Sequence, residues 1–135
     1  MRAPPVVGCL LIAVVPTLMA CVAPAPRAPV ILSADACTAR PSRADIAAAK
    51  GAHAAAKRFF ERGDHDGAIR QWTYAYALDC TAHDLLLNIA RALEQKGERA
   101  ASLQQIEAYL KHHRRTPLIE ERERRLRADL AAKGQ

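Results

Sequence analysis

The sequence predicts an all-α fold of five helices: two helix–turn–helix units followed by a C-terminal capping helix. The 135-residue chain contains 29 Ala and only 4% aromatic residues, a composition that suits close-packed helices better than sheets. No segment has the period-two alternation of apolar and polar residues that indicates a strand. Signals for helix starts and stops recur instead, and the two glycines Gly63 and Gly97 are 34 residues apart.

Composition and charge exclude several classes of protein. Twenty Lys and Arg against 14 Asp and Glu give a net charge of +6. This modest surplus suits an acidic partner or a membrane surface, but it does not indicate a nucleic-acid binder. The composition is not that of a collagen-like chain, a Pro/Gly-rich disordered chain or a disulfide-dense domain. The four cysteines are compatible with two disulfides, with a metal site or with four separate thiols.

Residues 1–20 are predicted to be a lipoprotein signal peptide. Arg2 precedes an apolar run that is too short for a comfortable membrane span of about 20 residues. Residues 18–21 read Leu-Met-Ala-Cys, which resembles the lipobox of bacterial lipoproteins and implies that Cys21 is lipidated and holds the protein to the bilayer. The alternatives are an ordinary signal peptide and an uncleaved anchor. Val22, by resemblance to enterobacterial sorting rules, favours the outer membrane, facing the periplasm.

Residues 21–41 are predicted to form a tether between the lipid and the helical domain. Pro24, Pro26 and Pro29 alternate there with small and aliphatic residues. Proline at this density resists helix formation and strand pairing and favours polyproline II. Plain disorder is the alternative interpretation of the same residues.

The first helix–turn–helix unit has clear start and stop signals. Ser42 followed by Asp45 is a capping-box arrangement that predicts the start of the first helix. This helix is expected to stop at Gly63, because glycine readily adopts the left-handed conformation after a helix end. Asp64 is a suitable N-cap for a second helix that runs to about Asp79.

Similar signals predict three further helices. Thr81 is expected to be the N-cap of the third helix, which should end at Gly97. The fourth is expected from about residue 98 to 113. Thr116 precedes a proline, the combination of N-cap and first helical residue that starts the fifth helix, and Lys133 should end it. The last segment, 117–135, is expected to cap the array.

An apolar stripe on the fifth helix is the predicted capping surface. The acidic residues of this helix, Glu120, Glu121 and Glu123, are expected mostly on its other faces. The sequence does not decide whether the stripe packs on the fourth helix or faces a partner. The stripe comprises Leu118, Ile119, Arg122, Leu126 and Leu130.

The two units repeat residue by residue at the 34-residue offset. The matched pairs include Phe59 with Leu93, Ala68 with Ser102, Ile69 with Leu103, and Trp72 with Ile106. A helix–turn–helix period of 34 resembles that of the tetratricopeptide repeat, with repeats at about 49–82 and 83–116. Residues 72–90 also resemble the small repeat-bearing lipoproteins of myxobacteria. The family's usual proline near the repeat end is replaced by Cys80 in the first unit and Arg114 in the second.

The resemblance implies an interaction protein whose partner lies on the face made by the first helix of each unit. Asn88 occupies a position where family members often have an Asn whose side chain forms hydrogen bonds with the ligand backbone. Lys57 and Arg91 suit an acidic group or a C-terminal carboxylate, although the full carboxylate clamp is not present. Simple exposed polar surface is the alternative for each residue. The implied face comprises His53, Lys57, Phe60, Leu87, Asn88, Arg91 and Glu94.

The cysteines that follow Cys21 are predicted to form one disulfide, Cys37–Cys80. The two residues flank helix ends that lie at the same end of the first antiparallel hairpin, and the periplasm is oxidising. Such a bridge is worth roughly 4 kcal/mol in the chain-entropy model. The alternatives are two buried thiols, or a zinc site in which His83 joins the cysteines.

No catalytic pattern is present, so neither an enzyme nor a cofactor is expected. The three serines lie in no nucleophile motif, and there is no Gly-rich phosphate loop. The predicted function is that of a membrane-anchored adaptor for an envelope or periplasmic protein, with no nucleic-acid partner. The alternative is a structural envelope component that assembles, or self-associates, through an open repeat edge.

Overall fold

The computed structural model describes residues 39–133 and confirms the all-α fold. Within this range the chain forms five helices and no strand. The predicted signal peptide, Cys21, Cys37 and most of the tether lie outside the described residues. The helices are α1 (Arg43–Glu61), α2 (His65–Leu78), α3 (Asp84–Gln95), α4 (Arg99–Leu110) and α5 (Pro117–Lys133).

The helices form two hairpins and a fifth helix, stacked in chain order. α1 packs on α2 and α3 packs on α4, while α2 meets α3 and α4 meets α5. Each hairpin is therefore a helix–turn–helix unit, as the 34-residue offset predicts.

Three of the predicted helix starts have their caps. The Ser42 hydroxyl accepts a hydrogen bond from the Asp45 N–H at 3.1 Å, and the Asp45 carboxylate accepts one from the Ser42 N–H at 3.1 Å. The Ser42 side chain also donates to this carboxylate, and these bonds lower the Asp45 pKa. Asp64 accepts from the Gly67 N–H at 2.7 Å, and the Thr116 hydroxyl accepts from the N–H of the third residue of α5 at 3.4 Å.

The predicted N-cap of the third helix is wrong. The Asp79 carboxylate accepts hydrogen bonds from the Thr81 N–H at 3.1 Å and the Thr81 hydroxyl at 2.6 Å. This Asx-type turn engages Thr81 before a helix can begin. α3 starts three residues later, at Asp84, and His83 precedes it without a side-chain cap.

The two glycine turns have the same backbone geometry. Gly63 and Gly97 have φ of +78° and +79°, a conformation that glycine adopts without steric cost. In the first turn, the N–H of the residue after the glycine donates to the Phe59 carbonyl at 3.0 Å. In the second, the matching bond goes to the Leu93 carbonyl at 2.9 Å. Both turns are therefore Schellman motifs, placed 34 residues apart.

Small residues let the helices of the first hairpin approach closely. Ala56, Ala68 and Ala75 are fully buried, and larger side chains from α2 and α3 fill the space between the hairpins. Close helix contact at alanine, with interdigitation of larger residues beside it, is how ridges pack into grooves. The larger residues of this core are Trp72, Tyr76, Leu85, Leu86, Ile89 and Leu93.

α5 packs against the second hairpin, which settles the question that the sequence left open. Ile119 and Leu126 are buried in one cluster with Ala90 and Ile106. Leu118 is wrongly placed in the predicted stripe, because it is 80% exposed. Neighbouring helix residues point about 100° apart, so Leu118 faces solvent when Ile119 faces the core.

Glu123 lies on the packed face of α5, so its predicted position on another face is wrong. Its side chain is 2% exposed and forms ion pairs with Arg115 and, at 2.7 Å, with Arg127. A carboxylate can be buried at such a position only when cations compensate its lost hydration. Because one arginine lies before α5 and the other within it, the buried carboxylate joins the α4–α5 connection to the helix.

Candidate functional site

Five of the seven residues predicted to contact a partner line one cleft. α1 contributes three of them at spacings that share a helix face, and α3 contributes two. The cleft has a volume of about 590 Å³, and Glu61 and Trp72 also line it. The predicted residues that meet there are His53, Lys57, Phe60, Asn88 and Arg91.

An aromatic floor gives the cleft its apolar surface. Trp72, from α2, is 3% exposed, and its ring lies 5.7 Å from that of Phe60. The indole N–H donates to His53 Nδ1 at 3.0 Å, so the buried donor of the tryptophan is satisfied. Because His53 Nδ1 accepts this bond, the neutral imidazole carries its proton on Nε2.

Positive charge lies above this floor. The Arg91 guanidinium sits 4.9 Å from the centre of the Phe60 ring, a cation–π arrangement that restrains the long side chain. Lys57 adds a second cation, and Glu61 is the one acid among the residues that line the cleft. The lining therefore carries a net charge of about +1 at neutral pH, together with apolar surface and the amide of Asn88.

A second hollow of about 300 Å³ continues the cleft toward the α2–α3 turn. His53 and Asn88 line both hollows, so they stand at the junction of one longer groove. The other lining residues are Ala49, Lys50, Asp79, Ala82, Asp84 and Leu85. This extension could not be predicted from the sequence, because the α2–α3 turn that forms one wall has no counterpart in helix periodicity.

Two residues assigned to the same face from the sequence lie elsewhere. Leu87 packs beside the cluster that α5 forms with the second hairpin. Glu94 accepts hydrogen bonds from the Ser102 hydroxyl at 3.1 Å and from Arg122 Nε at 2.6 Å. A further bond at 3.2 Å comes from Arg125. Glu94 therefore ties α3 to α4 and α5 and is not a residue of the cleft.

Trp72 and Glu61 are the cleft residues that the sequence did not identify. The repeat pattern assigns Trp72 to the hairpin core, and it is indeed buried, but one edge of it also reaches the cleft. A possible signal was the polar indole N–H, because a buried tryptophan needs a hydrogen-bond acceptor nearby. Glu61 follows Lys57 by four residues and thus shares its helix face.

Cys80 follows Asp79, the C-cap of α2, and is disulfide-bonded. It is 9% exposed and belongs to the hydrophobic core. Cys37, the predicted partner, and Cys21, the predicted lipidation site, lie outside the described residues, so the pairing and the lipid stay predictions. A thiol engaged in a disulfide cannot act as a thiolate ligand, which removes Cys80 from the alternative zinc site.

Between residues 39 and 133, no group of three or more His, Cys, Asp or Glu side chains is arranged to hold a metal ion. In the same part of the chain, no helix is long and apolar enough to span a membrane. No protein-family model and no curated protein matches this sequence.

Proposed function

We propose that this chain is a tetratricopeptide-repeat lipoprotein that acts as a non-catalytic adaptor in the cell envelope. Cys21 would anchor it in the outer membrane, and its cleft would hold a segment of an envelope or periplasmic protein. The observation that carries the proposal is that five of the seven predicted contact residues line one cleft between α1 and α3. Helix periodicity alone places three of these residues on one side of α1. The packing of the helices adds that this side, two residues of α3 and Trp72 of α2 surround a single cleft.

The lining favours an extended peptide segment with an apolar side chain and an acidic group. Phe60 is only partly buried and offers aromatic surface against which an apolar side chain can pack, while the nearly buried Trp72 lies beside this ring. Lys57 and Arg91 lie beside this surface and suit a carboxylate. Asn88 offers both a donor and an acceptor for the backbone of such a segment.

The position of α5 supports the cleft as the active surface. An array whose last hairpin was open would expose an apolar face and tend to assemble through it. Leu126 is 1% exposed here, within the cluster that α5 forms with the second hairpin. The C-terminal edge is therefore covered within the chain.

In the alternative function, a structural envelope component, the protein would assemble through the other edge of the array, at α1. The outer surface of α1 exposes several small residues that would allow a second helix to approach closely. In this case the protein would form concentration-dependent assemblies that survive charge reversal in the cleft. These exposed residues are Ala44, Ala47, Ala48 and Ala54.

Cross-linking in cells tests the cleft directly. The variant Lys57→Glu with Arg91→Glu should lose a partner that the unmodified protein captures, because it replaces both cations of the cleft. Arg58→Glu with Arg70→Glu is the matched control, since it reverses two exposed charges of the first hairpin that do not line the cleft. Equal capture by the two variants would contradict the proposal, provided that circular dichroism shows the same helix content in both.

A further inference from the structure

Three histidines that do not line the cleft meet at one end of the second hairpin. His83 precedes α3, whereas His112 and His113 follow α4. His83 Nδ1 lies 3.0 Å from His113 Nε2, and the two rings cross at 76°. The His112 ring stacks on His83 with 4.3 Å between ring centres. We call these three residues the histidine cluster.

The separation of the two nitrogens is close to that of two ligands on one metal ion. Imidazole nitrogens bind Zn²⁺ at about 2.0–2.1 Å. Ligand angles between 90° and the tetrahedral value then place the two nitrogens about 2.9–3.4 Å apart. The observed 3.0 Å lies in this interval. The two nitrogens are therefore spaced as two ligands of one ion, and both rings must turn so that their lone pairs, which face each other in the hydrogen bond, point to a common position beside the pair.

The proton between the two rings does not prevent both histidines from binding one metal ion. In the metal-free pair, one nitrogen carries a proton and donates it to the lone pair of the other. Each neutral imidazole has a second nitrogen, so this proton can move through water to the far side of its own ring. Both facing lone pairs are then available to a metal, and no net proton is lost.

The charges around the cluster permit a metal ion to bind with modest affinity. Asp79 and Asp84 lie close enough to His83 for their charges to act on it, and these carboxylates would partly offset a bound cation. Lys111 and Arg114 flank the histidine pair in the sequence and oppose one. With two protein ligands, water would fill the remaining coordination positions, as it fills the open position of catalytic zinc sites.

We propose that His83 and His113 form a binding site for a divalent transition-metal ion of the kind that prefers imidazole, namely Zn²⁺, Ni²⁺ or Cu²⁺. The ion would join the start of α3 to the segment after α4 and so fix one end of the second hairpin. This site does not depend on the adaptor proposal, because neither of its ligands lines the cleft or the hollow that extends it. Asp79 and Asp84 line that hollow and also lie near His83.

Calorimetric titration of the tag-free full-length protein with Zn²⁺ and with Ni²⁺ tests the site at near-neutral pH. We expect saturable binding of one ion. His83→Gln and His113→Gln should each weaken it by at least about tenfold, since each removes a direct ligand. His65→Gln is the matched control, because His65 lies in the first hairpin beside Phe60, and it should bind as the unmodified protein does.

Any of three results would overturn the proposal: no saturable binding, unchanged affinity in both cluster variants, or equal loss in the His65 control. Loss in His112→Gln without loss in His113→Gln would also overturn the assignment of the ligands. Zn²⁺-induced shifts of the His83 and His113 ring signals in the nuclear magnetic resonance spectrum of the unmodified protein provide a test that does not depend on any variant folding. Unshifted signals at saturating Zn²⁺ would refute the site.

Discussion

Replacement of Gly67 by alanine should destabilise the protein, although the same change at Gly51 should stabilise it. Both glycines lie within helices. A Cβ atom at Gly67 would lie 2.5 Å from Asp64 Oδ2 and 2.6 Å from Phe59 Cδ1, whereas nothing lies within 4 Å of one at Gly51. The added methyl group is therefore crowded at Gly67 and unhindered at Gly51.

The magnitude follows from what must move at Gly67. Helix propensity alone favours alanine over glycine by about 1 kcal/mol. To make room, Asp64 must give up the bond that it accepts from the Gly67 N–H, and loss of an N-cap costs about 1 kcal/mol. Displacement of the partly buried Phe59 ring costs a further ~1–3 kcal/mol, as overpacking does elsewhere. The net destabilisation is therefore about 1–3 kcal/mol.

Urea unfolding followed by circular dichroism measures the effect. Gly67→Ala should lower the midpoint without changing the slope, because the surface exposed on unfolding is the same. Gly51→Ala should raise the midpoint by an amount equivalent to about 0.5–1 kcal/mol. If Gly67→Ala is as stable as the unmodified protein or more so, the reasoning from the close approach of Asp64 and Phe59 is wrong.

Other predictions concern the capping helix, pH and the cysteines. Leu126→Ala should lower the free energy of unfolding by about 2–5 kcal/mol, because it leaves a cavity under α5; a loss below 1 kcal/mol would show that α5 contributes little to the core. Burial, then the neighbouring imidazoles, lower the His83 pKa below its ordinary 6.5. The unfolded chain therefore binds this proton more readily, and the free energy of unfolding should fall as pH decreases through 6.5. His83→Gln should reduce this pH dependence, and an unchanged pH dependence would show that His83 is not its source. Non-reducing peptide mapping should link Cys37 to Cys80, and another partner for Cys80 would refute this pairing. Mass spectrometry should find acyl chains on Cys21 that disappear in Cys21→Ala, and an unmodified mature N-terminus would refute the lipoprotein assignment.

The contact face could be predicted because it depends on helix periodicity and on the repeat. His53, Lys57 and Phe60 are spaced so that any α-helix places them on one side, and the 34-residue offset aligns this side with Asn88 on the third helix. The shape of the cleft could not be predicted in the same way. Its floor comes from Trp72 on α2, and only the packing of α2 behind α1 brings the indole N–H to His53.

The errors of prediction occur where one local preference competes with another or with tertiary contact. Thr81 is a good N-cap by residue type, but the Asp79 carboxylate binds it in a turn instead. Glu123 is acidic and would ordinarily be exposed, but Arg115 and Arg127 make its burial possible. Leu118 is apolar, yet the rotation of α5 that buries the next residue along the chain leaves it in solvent.

The sequence by itself determined the local features: the five helices, the caps at Ser42 and Asp64, and the two glycine turns. These depend on interactions within a few residues of the chain, so the residue types suffice to predict them. Only the tertiary structure decided that α5 covers the second hairpin, that the contact residues surround a cleft, and that His83 meets His113. Those outcomes depend on how helices rotate and stack, since the charges and side chains that fix each rotation lie on other helices far apart in the sequence.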